Sequence, residues 1–155
     1  MAPISVRRIH HVGIVVEKLT RAYRFYRDTL GLPLLREVEI KDQGVRAAIL
    51  GARESEIELL EPMQAGTGVT RFLEKRGEGL HHLCFETEDV DASLRNLKGS
   101  GVALIDETSR EGLAGRIGFL HPRACAGVLV ELATPPNGSH PDASPLRLQR
   151  VVLGS

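Results

Sequence analysis

His10-His11-Val12-Gly13-Ile14-Val15-Val16-Glu17 decides the fold, because the chain carries it twice: His81-His82-Leu83-Cys84-Phe85-Glu86-Thr87-Glu88 has the same pattern. Each is a histidine pair, then a strand-like run, then an acid. A helical pattern follows both. Leu19, Ala22, Tyr26 and Leu30 share one face of the first, and Val90, Leu94 and Leu97 share one face of the second. Glycine stops each helix, at Gly31 and Gly101. The second histidines, at 11 and 82, are offset by 71 residues, and the two glycines by 70.

The repeat extends beyond the helices. Strand patterns follow at about 33–40, 44–51 and 55–61 in the first half, and at about 102–106, 115–121 and 127–133 in the second. Each half therefore reads β-α-β-β-β. Neither half can bury a sheet face alone. The expectation is an α+β domain: two tandem βαβββ modules, about 8–62 and 79–134, forming one curved mixed sheet around a metal-binding cleft. Short turns between successive strands suit antiparallel pairing. The glycine-rich link from Glu61 to Gly79 has room for a short helix near Val69–Lys75. A turn-rich tail, 135–155, begins Pro135-Pro136-Asn137-Gly138. Its apolar stretch from Leu146 to Leu153 reads as a loosely held end, or as a surface for a second subunit.

At 155 residues the whole chain fits one domain, and 42% hydrophobic content supplies a core. Lys+Arg and Asp+Glu are 20 each, with no long run of one sign, which argues against a nucleic-acid or anionic-membrane partner. No apolar run reaches membrane-spanning length, and the first residues lack the apolar core of a signal peptide. Cys84 and Cys125 are too few for a disulfide framework, and Cys84 reads as a small buried apolar residue. A cytoplasmic, soluble protein is expected.

Alternation along the strands separates the paired histidines. His10 goes with Val12, Ile14 and Val16, and His81 with Leu83 and Phe85, both towards the helix layer or its edge. His11 and His82 go with smaller or more polar neighbours and face the cleft. The closing strand of each half carries an acid in an apolar run, Ile57-Glu58-Leu59 and Val130-Glu131-Leu132. A carboxylate among aliphatic neighbours needs a partner charge or a metal. A lone strand histidine or glutamate is usually structural, but these recur at matched intervals: 47 residues from His11 to Glu58 and 49 from His82 to Glu131. Two imidazoles and two carboxylates suit zinc, cobalt, nickel, manganese or iron(II), and in an octahedral site leave two positions open.

With these motifs in place, the sequence resembles the vicinal oxygen chelate superfamily, and within it the methylmalonyl-CoA epimerase family. The resemblance covers about residues 8–134. It is carried by His11-Val12-Gly13-Ile14, Phe25-Tyr26-Arg27-Asp28, Asp42-Gln43-Gly44-Val45 and Ile57-Glu58-Leu59-Leu60-Glu61-Pro62, and more specifically by Gly77-Glu78-Gly79-Leu80-His81-His82 and the run from Phe119 to Leu132. It implies one divalent metal ion (cobalt, zinc, manganese or nickel) on His11, Glu58, His82 and Glu131. It implies an acyl-CoA substrate, interconversion of (2R)- and (2S)-methylmalonyl-CoA through a metal-stabilised enolate, Glu131 as an acid/base, and a homodimer. Arg116, His121 and Arg123 are candidates to meet a substrate carboxylate or coenzyme A phosphates, or are ordinary loop polarity. Gly112 and Gly115 suit a closing loop or a turn.

One position departs from the pattern. Some members carry a second glutamate base three residues after the glycine of Gln-Gly-Val, where this chain has Ala47. Other relatives are apolar there too, so the change does not exclude the activity, and it leaves the second acid/base unassigned. Glu37, Glu39 and Glu61 read as solvated acids. The competing functions are a glyoxalase I-like lactoylglutathione lyase, a ring-cleaving dioxygenase, and a metal-free small-molecule-binding or resistance protein. His121-Pro122-Arg123 in place of an Asp-Pro-Asp-Gly turn disfavours the first. The extra acid Glu58 disfavours the second, and the full ligand set disfavours the third.

Overall fold

The computed structural model describes residues 3–136; the apolar stretch expected in the tail lies outside them. Eight strands are hydrogen-bonded in the order β2-β3-β4-β1-β5-β8-β7-β6. They are β1 (Val6–Val15), β2 (Leu34–Ile40), β3 (Val45–Ala52), β4 (Ser55–Pro62), β5 (Gly79–Thr87), β6 (Arg110–Gly112), β7 (Gly115–Leu120) and β8 (Val130–Thr134). The helices are α1 (Leu19–Tyr23), α2 (Gly68–Arg76) and α3 (Val90–Gly99). Contacts divide the described chain into two compact units. One runs through His11 and resumes at His82; the other is Val12–His81.

In the Val12–His81 unit, β3 pairs antiparallel with β2 and β4. The face carrying Ala48, Leu50 and Leu59 packs with Val16, Leu19 and Tyr23. The other face carries Glu58 and Leu60, opposite Ile49 and Ala47. Helix α1 starts where the buried Glu61 carboxylate accepts the Leu19 N–H at 2.7 Å. The chain then widens into a π-helical stretch, Arg24–Thr29, with Leu30 N–H donating to Phe25 C=O. Leu30, which follows that wider turn, is exposed, while Tyr23, one regular turn after Leu19, is buried beside it. Helix α2 is close to its expected extent. Thr67 Oγ1 caps it by accepting from Thr70 N–H, and Gly77 ends it at φ +73°.

In the other unit β5 pairs parallel with β8, and β7 pairs antiparallel with β8 and β6. Leu132 and Val130 turn to α3, whose Val90 and Leu94 are fully buried against them and Leu120. Asp89 caps α3 through the Ala92 N–H. The strand expected at 102–106 is not formed. Leu104 makes one isolated bridge to Leu120, and the strand that follows α3 is the shorter β6. The apolar run there is cut short by the turn-forming residues from Asp106 to Ser109, which carry the chain on to Arg110. Strand β8 also starts later than expected, because Ala126 and Gly127 take positive φ. Gly112 and Gly115 face each other across the β6–β7 turn, and Gly115 is needed: a Cβ there would lie 2.4 Å from the Thr134 carbonyl. They are turn glycines.

Helix α3 is held through Leu94, whose side chain lies directly over Gly118 of β7. Leu94→Ala is expected to lower the unfolding free energy by about 2–5 kcal/mol, read as a fall in the denaturant midpoint at unchanged slope.

Candidate active site

Three of the four expected ligands meet in the unit that contains α3. On β8 the face opposite α3 carries Glu131, registered between Cys84 of β5 and Phe119 of β7. Along β5, His82 and Cys84 share this face. His82 Nε2 lies 3.0 Å from Glu131 Oε2, His11 Nε2 lies 3.3 Å from the same oxygen, and the two Nε2 atoms are 3.0 Å apart. All three side chains are buried. An ion with bonds of about 2.1 Å holds neighbouring ligand atoms about 3.0 Å apart in an octahedron and about 3.4 Å apart in a tetrahedron, so this triangle has the size of one face of either. The group can hold a metal ion.

The charge balance fits a cation as well. Burial pushes the Glu131 carboxyl up, but the hydrogen bonds and charges of His11 and His82 outweigh it, and the group is held below its ordinary value. Phe119 closes one side, its ring 5.7 Å from that of His82 and edge-on to it.

Glu58 is buried on β4. It stands on the face that also carries Ala47 and Ile49, and Ala47 is completely buried there. The other acids considered stand on the α1 side. Glu37 accepts the Tyr23 hydroxyl, Glu61 is buried as the cap of α1 instead of being solvated, and Glu39 pairs with Arg46. Arg116 is on the α3 side of β7, where Nε and Nη2 bind Ser109 and Nη1 pairs with exposed Glu111. His121 and Arg123 are exposed at a 3-10 turn, Pro122–Ala124, and His121 Nδ1 accepts the Arg123 N–H.

The histidine partners divide the expectation. His81 does turn to a helix, packing edge-on against Phe72 of α2. His10 Nδ1 lies 2.8 Å from His11 Nδ1, close to Cys84. Ideal alternation is lost at this pair, so a contact that strand periodicity rules out is made. The adjacency of His10 and His11 was the one signal for it, and Phe119 gave none beyond its apolar strand.

The sequence profile described as "Glyoxalase/Bleomycin resistance protein/Dioxygenase superfamily" matches residues 10–119, and the chain belongs to that superfamily. The Cereibacter sphaeroides ethylmalonyl-CoA/methylmalonyl-CoA epimerase is 36% identical over 82% of this chain and 97% of its own length. The mouse mitochondrial methylmalonyl-CoA epimerase is 35% identical over 81% of this chain and 71% of its own. A Streptomyces coelicolor methylmalonyl-CoA epimerase (E43Q), solved with 2-nitronate-propionyl-CoA, superposes with a TM-score of 0.81 at 40% identity, over 84% of this chain and 99% of that one. Relatives named as lactoylglutathione lyases reach only 28% identity over 61% of the chain. Within the superfamily, the chain falls in the methylmalonyl-CoA epimerase family.

The Glu131 carboxyl contributes stability that is fully present above its ordinary value of 4.5 and is lost as pH falls through its lower folded value. In metal-free protein, carbon-13 NMR is expected to show it titrating below 4.5, and Glu131→Gln is expected to flatten the loss of stability on acidification. Titration above the ordinary value would mean that burial outweighs the two imidazoles.

Proposed function

We propose that this chain interconverts the (2R) and (2S) forms of methylmalonyl-CoA, with one divalent ion held by His11, Glu58, His82 and Glu131. The observation that carries the reading is the buried triangle of His11 Nε2, His82 Nε2 and Glu131 Oε2, sized for an ion, in a member of the epimerase family. Glu58 is assigned as fourth ligand because it holds in the first module the place that Glu131 holds in the second. A divalent ion held there would supply Lewis-acid stabilisation of the negative charge that develops on the thioester oxygen as the α-proton leaves.

The protein does the rest. Glu131 Oε1 lies outside the triangle and is the oxygen assigned to carry the proton on one face. No side chain is assigned the proton of the other face: position 47 is an alanine, and Glu37, Glu39 and Glu61 are committed on the α1 side, so water is assigned that role. Phe119 keeps solvent from one side of His82. His121 and Arg123, both exposed, are assigned to the substrate's carboxylate or phosphates; Arg116, already bound to Ser109 and Glu111, has less to offer them. We assign the chain a single domain, a homodimeric state and a cytoplasmic setting. Among the described residues no helix is long and apolar enough to cross a membrane.

Protein purified without chelator is expected to carry one divalent ion per chain. His82→Ala is expected to lose it and His81→Ala to keep it, by elemental analysis; equal loss from both would overturn the ligand assignment. (2S)-Methylmalonyl-CoA in deuterated water is expected to epimerise with incorporation of solvent deuterium, and faster than the glutathione–methylglyoxal adduct is converted. Metal-loaded protein that shows neither exchange nor epimerisation would sink the assigned reaction and leave the metal site standing.

A further inference from the structure

We propose that His10 is a positioning residue of the metal site: it accepts the Nδ1 proton of His11 and so keeps the His11 Nε2 lone pair available to the ion. The proposal rests on the reading of His11 as a ligand. His10 is buried, its Nδ1 is 2.8 Å from His11 Nδ1, and the two rings stand edge to face at 83°. Two ring nitrogens at that distance share one proton, so one must donate and the other accept.

The direction of that bond decides whether His11 can bind metal. If His10 donates, the proton of a neutral His11 is on Nε2, where it faces His82 Nε2 and Glu131 Oε2 and leaves no lone pair for an ion. If His11 donates, its Nε2 is bare and His10 carries its own proton on Nε2. Only the second arrangement permits ligation. Ligating histidines commonly have their other N–H held by a carboxylate, a carbonyl or water. Here the acceptor is a neighbouring imidazole on the same strand, which can itself switch between donor and acceptor. Binding an ion therefore requires the His10–His11 pair to settle on one of its two tautomer arrangements.

The test uses the full chain with zinc as probe. His10→Phe keeps a ring and removes the acceptor; His10→Asn puts an amide oxygen near the position of Nδ1. By competition with a chromogenic chelator, His10→Phe is expected to weaken zinc binding about 10- to 100-fold, and His10→Asn to remain close to wild type. Nitrogen-15 NMR of the histidine rings in zinc-loaded wild type is expected to find the His11 proton on Nδ1, and this readout holds even if His10→Phe fails to fold. Overturning results are wild-type affinity in a folded His10→Phe, or equal weakening in a folded His10→Asn. A His11 proton on Nε2 in the zinc form would overturn it too. So would a second cobalt equivalent with a thiolate charge-transfer band, because His10, His11 and Cys84 would then form a ligand set of their own. Wild type that takes up no zinc at all would overturn the metal reading itself, which separates the two failures.

Discussion

A carboxylate withdrawn from water must be met by donors or positive charge, or it costs several kcal/mol. Glu131 is 4% exposed in the middle of Val130-Glu131-Leu132, and it is met on one oxygen by two imidazole nitrogens. Neither imidazole is local to it: His11 comes from the first strand and His82 from the fifth. The arrangement is therefore as much a constraint on strand placement as a chemical group. Three buried polar side chains find their partners only if β1, β5 and β8 are all in position.

What enforces that position is the apolar face behind it. Strand side chains repeat with a period of two, so a one-residue slip of β8 would put Val130 or Leu132 where Glu131 stands and drive the carboxylate into α3. Val90, Leu94, Leu120 and Leu132 make that slip costly. The same two-sided logic runs through β4, where Leu59 faces the α1 layer and Glu58 the other side. Apolar packing selects the register, and the register delivers the acids.

Much of this was legible in the residues. The doubled histidine motif pointed to the repeated module, and the matched histidine-to-glutamate intervals singled out His11, His82 and Glu131, which the structure brings together, because both depend on pattern along the chain. The failures share a cause: each depends on geometry that periodicity does not encode. Leu30, expected on the packed face, is exposed after the helix widens to a π turn. The segment 102–106 has strand-like composition but makes one bridge. Glu61 looked like a solvated acid and is a buried helix cap, since capping joins residues 19 and 61 across the fold. His10 was set apart from His11 by ideal alternation and lies against it instead.

The parallel pairing of β5 with β8 has a kinetic side. Antiparallel neighbours can zip from a short turn, whereas Cys84 and Glu131 meet only after the intervening helix and hairpin have been gathered in. Such distant pairings carry a large loop-closure cost and slow the search for the native state. Glu131 sits on the last of the described strands, so during synthesis the two histidines leave the ribosome before the carboxylate that joins them. A ligand that needs all three therefore rewards only the finished sheet: its effect falls on the rate at which the completed fold comes apart, and hardly at all on the rate at which it assembles.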